Sequence, residues 1–300
     1  MTDQADTFRC GYAAIVGRPN VGKSTLLNRI LGQKISITSR RPQTTRHRIL
    51  GIKTTDDYQA VYLDTPGLHL GGKKAMNRYL NRAAGNALTD VDVIVFVVEG
   101  LKWTEEDQWV LKRLAESRAP VLLAINKVDK VDKEALLAHM AKLAELADFK
   151  AIIPVSARLG ENVEYLEQEV VSRLPLNDPF YPEDQVTDRS MRFIAAEVIR
   201  EKLMRRLGQE LPYAMTVEIE SFKDKEGVAH IDAVIWVERK GQKAIVIGKG
   251  GANLKEVGKQ ARLELQQMLE QKVFLQLWVK VKEGWSADER ALRSLGYSDD

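Results

Sequence analysis

The sequence has one cysteine, Cys10, so no internal disulfide can staple its fold. Long apolar runs are also missing. The most hydrophobic stretch, 91–98, contains Asp92 and falls far short of the roughly 20 residues a membrane-spanning helix needs, so it reads as a buried parallel strand. The first residues carry Asp3 and Asp6 where a secretory signal has basic residues and an apolar stretch, so a cytoplasmic protein is expected. No internal repeat or low-complexity segment is present. Neither sign of charge dominates, with 45 Lys and Arg against 42 Asp and Glu. A mild basic bias does appear late, where 189–283 holds 18 Lys and Arg against 13 Asp and Glu. Charge alone therefore does not separate a nucleic-acid binder from an ordinary solvated surface. At 300 residues and 44% hydrophobic content, two domains with separate cores are expected.

What is present is organised around residues 17–24, GRPNVGKS, a GxxxxGKS phosphate loop. An apolar run, 11–16, precedes it and an amphipathic helical stretch, 25–31, follows, which is the strand, loop and helix setting the motif needs. Gly17 and Gly22 permit backbone angles closed to other residues. The chain through Arg18, Pro19, Asn20 and Val21 to Ser24 and Thr25 can thus wrap phosphate oxygens at a helix N-terminus. In this motif Lys23 reaches the β and γ phosphates and Ser24 ligates magnesium.

Residues 35–48 are polar and basic without periodicity and are expected to be exposed and mobile. Two short strands, 49–53 and 60–63, form a hairpin pattern that ends in Asp64-Thr65-Pro66-Gly67. A DxxG at a strand end suits a triphosphate site: Asp64 holds magnesium and the Gly67 amide meets the γ-phosphate. Strands at 91–98 and 121–125, with a helix over 104–115 between them, predict a parallel sheet with helices on both faces. The second ends in Asn126-Lys127-Val128-Asp129. A carboxylate there accepts two hydrogen bonds from guanine and rejects adenine, which lacks that donor pair. A last strand, 151–155, ends in Ser156-Ala157-Arg158, whose amides suit the guanine O6.

GRPNVGKS, QTTRHR, DTPG, NKVD and SAR, in this order, resemble the Era family of translation-factor-type GTPases, and the resemblance runs the length of the chain. It implies GTP as substrate and magnesium as cofactor, with Thr45 as a second magnesium ligand beside Ser24 and Asp64. Gly67 becomes the hinge of the second switch. Leu68 stands where Ras-like enzymes place the water-orienting glutamine, so slow intrinsic hydrolysis is expected; His69 is the neighbouring alternative. Resemblance to potassium-activated GTPases places K+ beside Asn20.

Residues 174–184 hold three of the nine prolines and read as a semi-rigid linker. The expected domains are 1–174 and 189–285, with a linker at 175–188 and a tail from 286 that begins a short helix. In the second domain a helix over 189–207 is expected, with Arg192, Arg200, Lys202, Arg205 and Arg206 off its apolar face. Two antiparallel strands, a turn at Arg239-Lys240-Gly241, a short apolar run and Gly248-Lys249-Gly250-Gly251 follow. A long helix and a third strand, 273–282, complete the αββααβ order of an α+β KH type II domain. Phe274 and Trp278 are expected to pack under the first helix. Gly248, Gly250 and Gly251 let a single-stranded RNA backbone approach closely, while Lys249, Lys255 and Arg262 meet its phosphates.

For this family the implied partners are the 3′ region of the small-subunit ribosomal RNA and the assembling small subunit. A peripheral contact with the inner membrane and a monomeric state are also implied. The alternative is a nucleotide-gated module whose second domain binds protein or membrane.

Overall fold

The computed structural model describes residues 7–39, 44–68, 76, 79–80, 85, 90–207, 214–288, 290 and 292. The chain divides into two units, and from residue 80 onward the division falls between Asp188 and Arg189.

In the first unit six strands, β1 (Arg9–Val16), β2 (Ile49–Thr54), β3 (Tyr58–Asp64), β4 (Val93–Glu99), β5 (Val121–Asn126) and β6 (Ala151–Val155), form one sheet in the order β2-β3-β1-β4-β5-β6. Only β2 runs antiparallel, as the hairpin partner of β3. The parallel strands are covered on both faces, so β4 reads VIVFVVE without alternation and is buried from Val93 to Val98. Helices α1 (Lys23–Leu31), α2 (Glu105–Leu114), α3 (Lys133–Ala144) and α4 (Val163–Val171) follow strands, as the alternating pattern predicts. Local chemistry sets their starts. Thr104 and Asp107 form a reciprocal capping box on α2, and the Asp132 carboxylate accepts from the Glu134 and Ala135 amides of α3.

One expectation fails here. The segment 35–48 is not exposed where it is described: Ile35, Ser36, Ile37, Thr45 and Arg46 are all buried. Positions 40–43, like His69, lie outside the described residues. The segment 175–188 is stitched to the first unit. The Cys10 amide donates to the Pro175 carbonyl, Ile52 to the Val186 carbonyl and Leu50 to Asp188 Oδ1, while Gln59 Oε1 accepts from the Phe180 and Tyr181 amides. The sheet's unpaired groups take up the backbone of this proline-rich stretch.

The second unit comprises α5 (Met191–Arg206), β7 (Met215–Lys225), β8 (Val228–Val237), α6 (Lys240–Ile247), α7 (Ala252–Leu269) and β9 (Lys272–Val281). The sheet order is β7-β8-β9, with β8 antiparallel to β7 and parallel to β9. Ser190 caps α5 by accepting from the Phe193 amide. Arg200 and Lys202 correct the expected polar face of α5, since both are buried. The Arg200 guanidinium donates twice to Glu197 (2.6 and 2.7 Å), and Lys202 pairs with Glu201 and Glu264. Paired charge is how this helix buries cations. The expected turn at 239–241 is instead the start of α6, where Gln242 Oε1 accepts from the Glu238 and Arg239 amides. Of the tail expected to be helical, Arg290 and Leu292 are helical and most of the rest lies outside the described residues.

Candidate functional site

The loop 17–24 leaves β1 and enters α1 at the carboxyl ends of the parallel strands, where open α/β sheets hold ligands. Its glycines are required by the protein itself. A Cβ on Gly17 (φ 149°) would lie 2.3 Å from the Val97 carbonyl oxygen, and one on Gly22 (φ 106°) 2.2 Å from Asn126 Nδ2. Lys23 is buried, and its ammonium donates to the Gly17 and Arg18 carbonyls at 3.0 Å each. Burial pulls its pKa down to about 8, against the pull of Asp64. The Arg18 guanidinium is engaged by carboxylates, donating to Asp107 Oδ2 (3.1 Å) and Glu99 Oε2 (3.2 Å). Asn20 adopts a left-handed backbone, φ 66°. Thr25, on the first turn of α1, is half-buried.

Three residues far apart in sequence converge on the first turn of α1. Ser24 Oγ lies 2.7 Å from Thr45 Oγ1 and donates to Asp64 Oδ2 at 2.7 Å; Thr45 Oγ1 also reaches that oxygen at 3.4 Å. Asp64 Oδ1 is buried with no hydrogen-bond partner. Burial pushes this carboxyl up, and Lys23 with the three surrounding hydroxyls pulls it back. Two hydroxyls and one carboxylate, one of whose oxygens is orphaned, fit magnesium, which takes few protein ligands and completes its shell with phosphate and water. The third hydroxyl was not legible in the sequence. Ser36 Oγ donates to Asp64 Oδ2 at 2.7 Å, and Ser36 is clamped by Asn28, which bonds both its amide and its carbonyl.

The remaining DxxG residues are tied into the scaffold. Thr65 spends its hydroxyl on the Ile15 carbonyl, Pro66 is buried, and a Cβ on Gly67 would fall 2.7 Å from the Pro19 nitrogen. The Leu68 amide donates to the Gly17 carbonyl while its side chain joins the core with Phe96 and Val98.

Asn126 is a junction. Its amide donates to the Val21 carbonyl (2.8 Å), and its oxygen accepts from the Lys127 (2.8 Å) and Ala157 (3.0 Å) amides, joining the phosphate loop to the two base-side motifs. Lys127 donates to the Asn20 carbonyl at 2.7 Å. Asp129 accepts from Ser156 Oγ (2.8 Å) and Arg158 (2.9 Å). The Ser156 hydrogen bond, seconded by Arg158, holds this carboxyl below its usual range, so it stays ionised.

In the second unit the residues 248–251 join α6 to α7. Gly248, Gly250 and Gly251 have φ of 74°, 59° and 80°, and nothing lies within 4 Å of a Cβ built on Gly250 or Gly251. Lys249 is exposed, as are Lys255 and Arg262. Lys259, also exposed, lies between them at helical spacing and extends the same basic stripe of α7. Phe274 and Trp278 correct their expectation: they are 47% and 42% exposed.

A phosphate loop, a hydroxyl–carboxylate cluster and an NKxD carboxylate on a six-stranded sheet define the first unit as a P-loop GTPase. The αββααβ unit with its glycine loop is a KH module. Family models agree, with "50S ribosome-binding GTPase" matching residues 12–127 and "KH domain" matching 210–286. The chain is 58% identical to GTPase Era of Pseudomonas aeruginosa and 60% identical to that of Ectopseudomonas mendocina, each over 100% of both chains. It also matches crystal structures of a point variant of Aquifex aeolicus Era bound to GDP.AlF4- and of Era with MgGDPNP and nucleotides 1506-1542 of 16S ribosomal RNA. Each has a TM-score of 0.94 at 37% identity, covering 97% of this chain and 99% of the other. The chain belongs to the Era family of GTPases.

Proposed function

We propose that this GTPase is a switch that binds the 3′ region of small-subunit ribosomal RNA and assists assembly of the small ribosomal subunit. The observation that carries the RNA half is the open GKGG loop, beside which a relative's complex with 16S ribosomal RNA is a direct precedent. Gly248, Gly250 and Gly251 admit the RNA backbone, and Lys249, Lys255 and Arg262 meet its phosphates.

In the GTP site the backbone N–H groups of 17–25, Pro19 apart, and the Lys23 ammonium bind the triphosphate. Asp129 accepts from guanine, and the Ser156–Ala157 backbone faces its O6. Ser24, Thr45 and Asp64 would hold magnesium, which neutralises charge on the β and γ oxygens. Gly67 serves as hinge and γ-phosphate contact. With Leu68 sunk in the core, no side chain follows the DxxG to orient water, and intrinsic turnover is slow. Asn20 would then hold a potassium ion, whose charge offsets that developing on the phosphate oxygens. Faster turnover in potassium than in sodium, with the difference lost in Asn20→Ala, supports this assignment; equal rates in both salts remove it.

We place the protein in the cytoplasm as a monomer, with a peripheral contact to the inner membrane; no helix among the described residues is long and apolar enough to cross a membrane. The deciding experiment is reciprocity. GTP should raise RNA affinity over GDP by about 1–3 kcal/mol, and RNA should strengthen binding of a GTP analogue by the same factor. RNA affinities that are identical in the two nucleotide states would leave two independent modules.

A further inference from the structure

The sheet of the second unit has two unlike faces. One carries Leu277, against which Gly258 of α7 packs, together with buried Ala229, Ile231, Ala233 and Ile235. The other carries the alternate residues, and they do not form a plain polar surface. Phe274 and Trp278 stand out from β9, 47% and 42% exposed, and the Phe274 ring meets His230 with centroids 5.1 Å apart. Trp236, on β8, lies within 6 Å of two ammonium groups, Lys280 at 5.7 Å and Lys282 at 5.9 Å. Between the two exposed rings sits Gln276, paired across the ladder with Asp232.

The charge of this face is basic. The register places Lys223, Lys225, Lys272 and Lys280 on it, with Lys282 just beyond the strand end. Its carboxylates are Glu218, Glu220 and Asp232. Two of these are already engaged, Glu218 by the Trp236 indole (2.8 Å) and Glu220 by Lys280 (2.7 Å). Rings that offer a π-face, ammonium groups beside them, and an amide and carboxylate between them are the chemistry that takes unstacked nucleotides: bases on rings, phosphates on lysines, base edges on polar groups. A lipid surface has no use for carboxylates set among the aromatics. A path also exists. β9 is an edge strand, and α6, which leads into the GKGG loop, packs against it, so a strand leaving the loop reaches this face by crossing one edge.

We propose that the outer face of β7–β9 is a second RNA surface, on which single-stranded nucleotides beyond those held by the GKGG loop stack on Phe274 and Trp278. The proposal rests on the RNA-binding reading above and extends it. Its test uses the full chain and two probes: the 16S ribosomal RNA fragment 1506-1542, which a relative binds, and a piece of its 3′ end about six nucleotides long, enough for a KH loop that clamps four. Phe274→Ala with Trp278→Ala should weaken the long probe about tenfold or more and leave the short one unchanged. Phe274→Tyr with Trp278→Phe, which keeps the rings, should restore the long probe.

Equal affinity of the double alanine variant and the parent for the long probe would overturn the proposal. So would an equal loss for both probes, which would assign the effect to the loop. Loss of binding to anionic-lipid vesicles with RNA affinity intact would overturn it in favour of a membrane face. If the parent chain binds neither probe, the RNA-binding reading itself fails, an outcome distinct from the others.

Discussion

The two glycine-rich loops, GRPNVGKS and GKGG, each set a lysine at or just ahead of a helix start and each hold glycines at positive φ, yet they are built on different plans. In the first, the protein already occupies the space a side chain would need, and Lys23 is buried with its ammonium on two backbone carbonyls. In the second, a Cβ on Gly248 would meet the Asn253 side chain at 2.8 Å, but Gly250 and Gly251 face open space and Lys249 is exposed. The first loop is shaped before its ligand arrives, which suits one small nucleotide bound by fixed amides. The second is completed by what it binds, which suits a long flexible partner.

The largest effects should separate the loops outright. Lys23→Ala should lower GTP affinity at least about 100-fold, about 2.7 kcal/mol, while nucleotide-free RNA binding holds. Lys249→Asp with Gly250→Asp should do the reverse: RNA affinity falls about tenfold or more with a shallower salt dependence, and GTP binding is kept. Calorimetry with GTP and filter binding across a salt series read both; a loss that crosses from one loop to the other would break the comparison.

A second contrast concerns stability. Gly22→Ala drives a Cβ into Asn126 and should cost about 3 kcal/mol by chemical denaturation. Gly250→Ala meets no atom and should cost only the strain of a left-handed residue, about 1–2 kcal/mol. Equal costs would mean that glycine serves φ alone in both loops.

Ser36→Ala sharpens the claim that the first site is prepacked. Removing a hydroxyl from the buried Asp64 carboxylate should cost about 1.5–3 kcal/mol in the nucleotide-free protein and weaken the magnesium dependence of GDP binding. An unchanged stability would show that the hydroxyl contributes nothing to holding Asp64.

The smallest effect is a pH limb. Asp129 is held below its usual range by Ser156, so the carboxylate that guanine needs is present above its depressed pKa and is lost only as pH falls through it. Ser156→Ala should move the acid limb of GTP affinity to higher pH. A limb that stays in place would assign the depression to Arg158 instead.

Motifs whose chemistry is carried by contiguous residues were legible without coordinates. GRPNVGKS, DTPG, NKVD and the GKGG loop each pair a glycine, lysine or carboxylate with a strand or helix end, and strand and helix periodicity placed those ends within a residue or two. What the tertiary structure alone decided lies wherever partners are remote in sequence. Ser36, clamped by Asn28, reaches Asp64, Asn126 joins three loops, and Arg18 is taken by Glu99 and Asp107. Polar and basic residues were misread most, because a sequence displays a side chain's charge but not its partner. Arg200 and Lys202 look like a solvated face until Glu197, Glu201 and Glu264 neutralise them in the core. The inverse holds for Phe274 and Trp278: alternation along β9 assigns them to one face, and only the placement of the helices on the other face leaves them exposed.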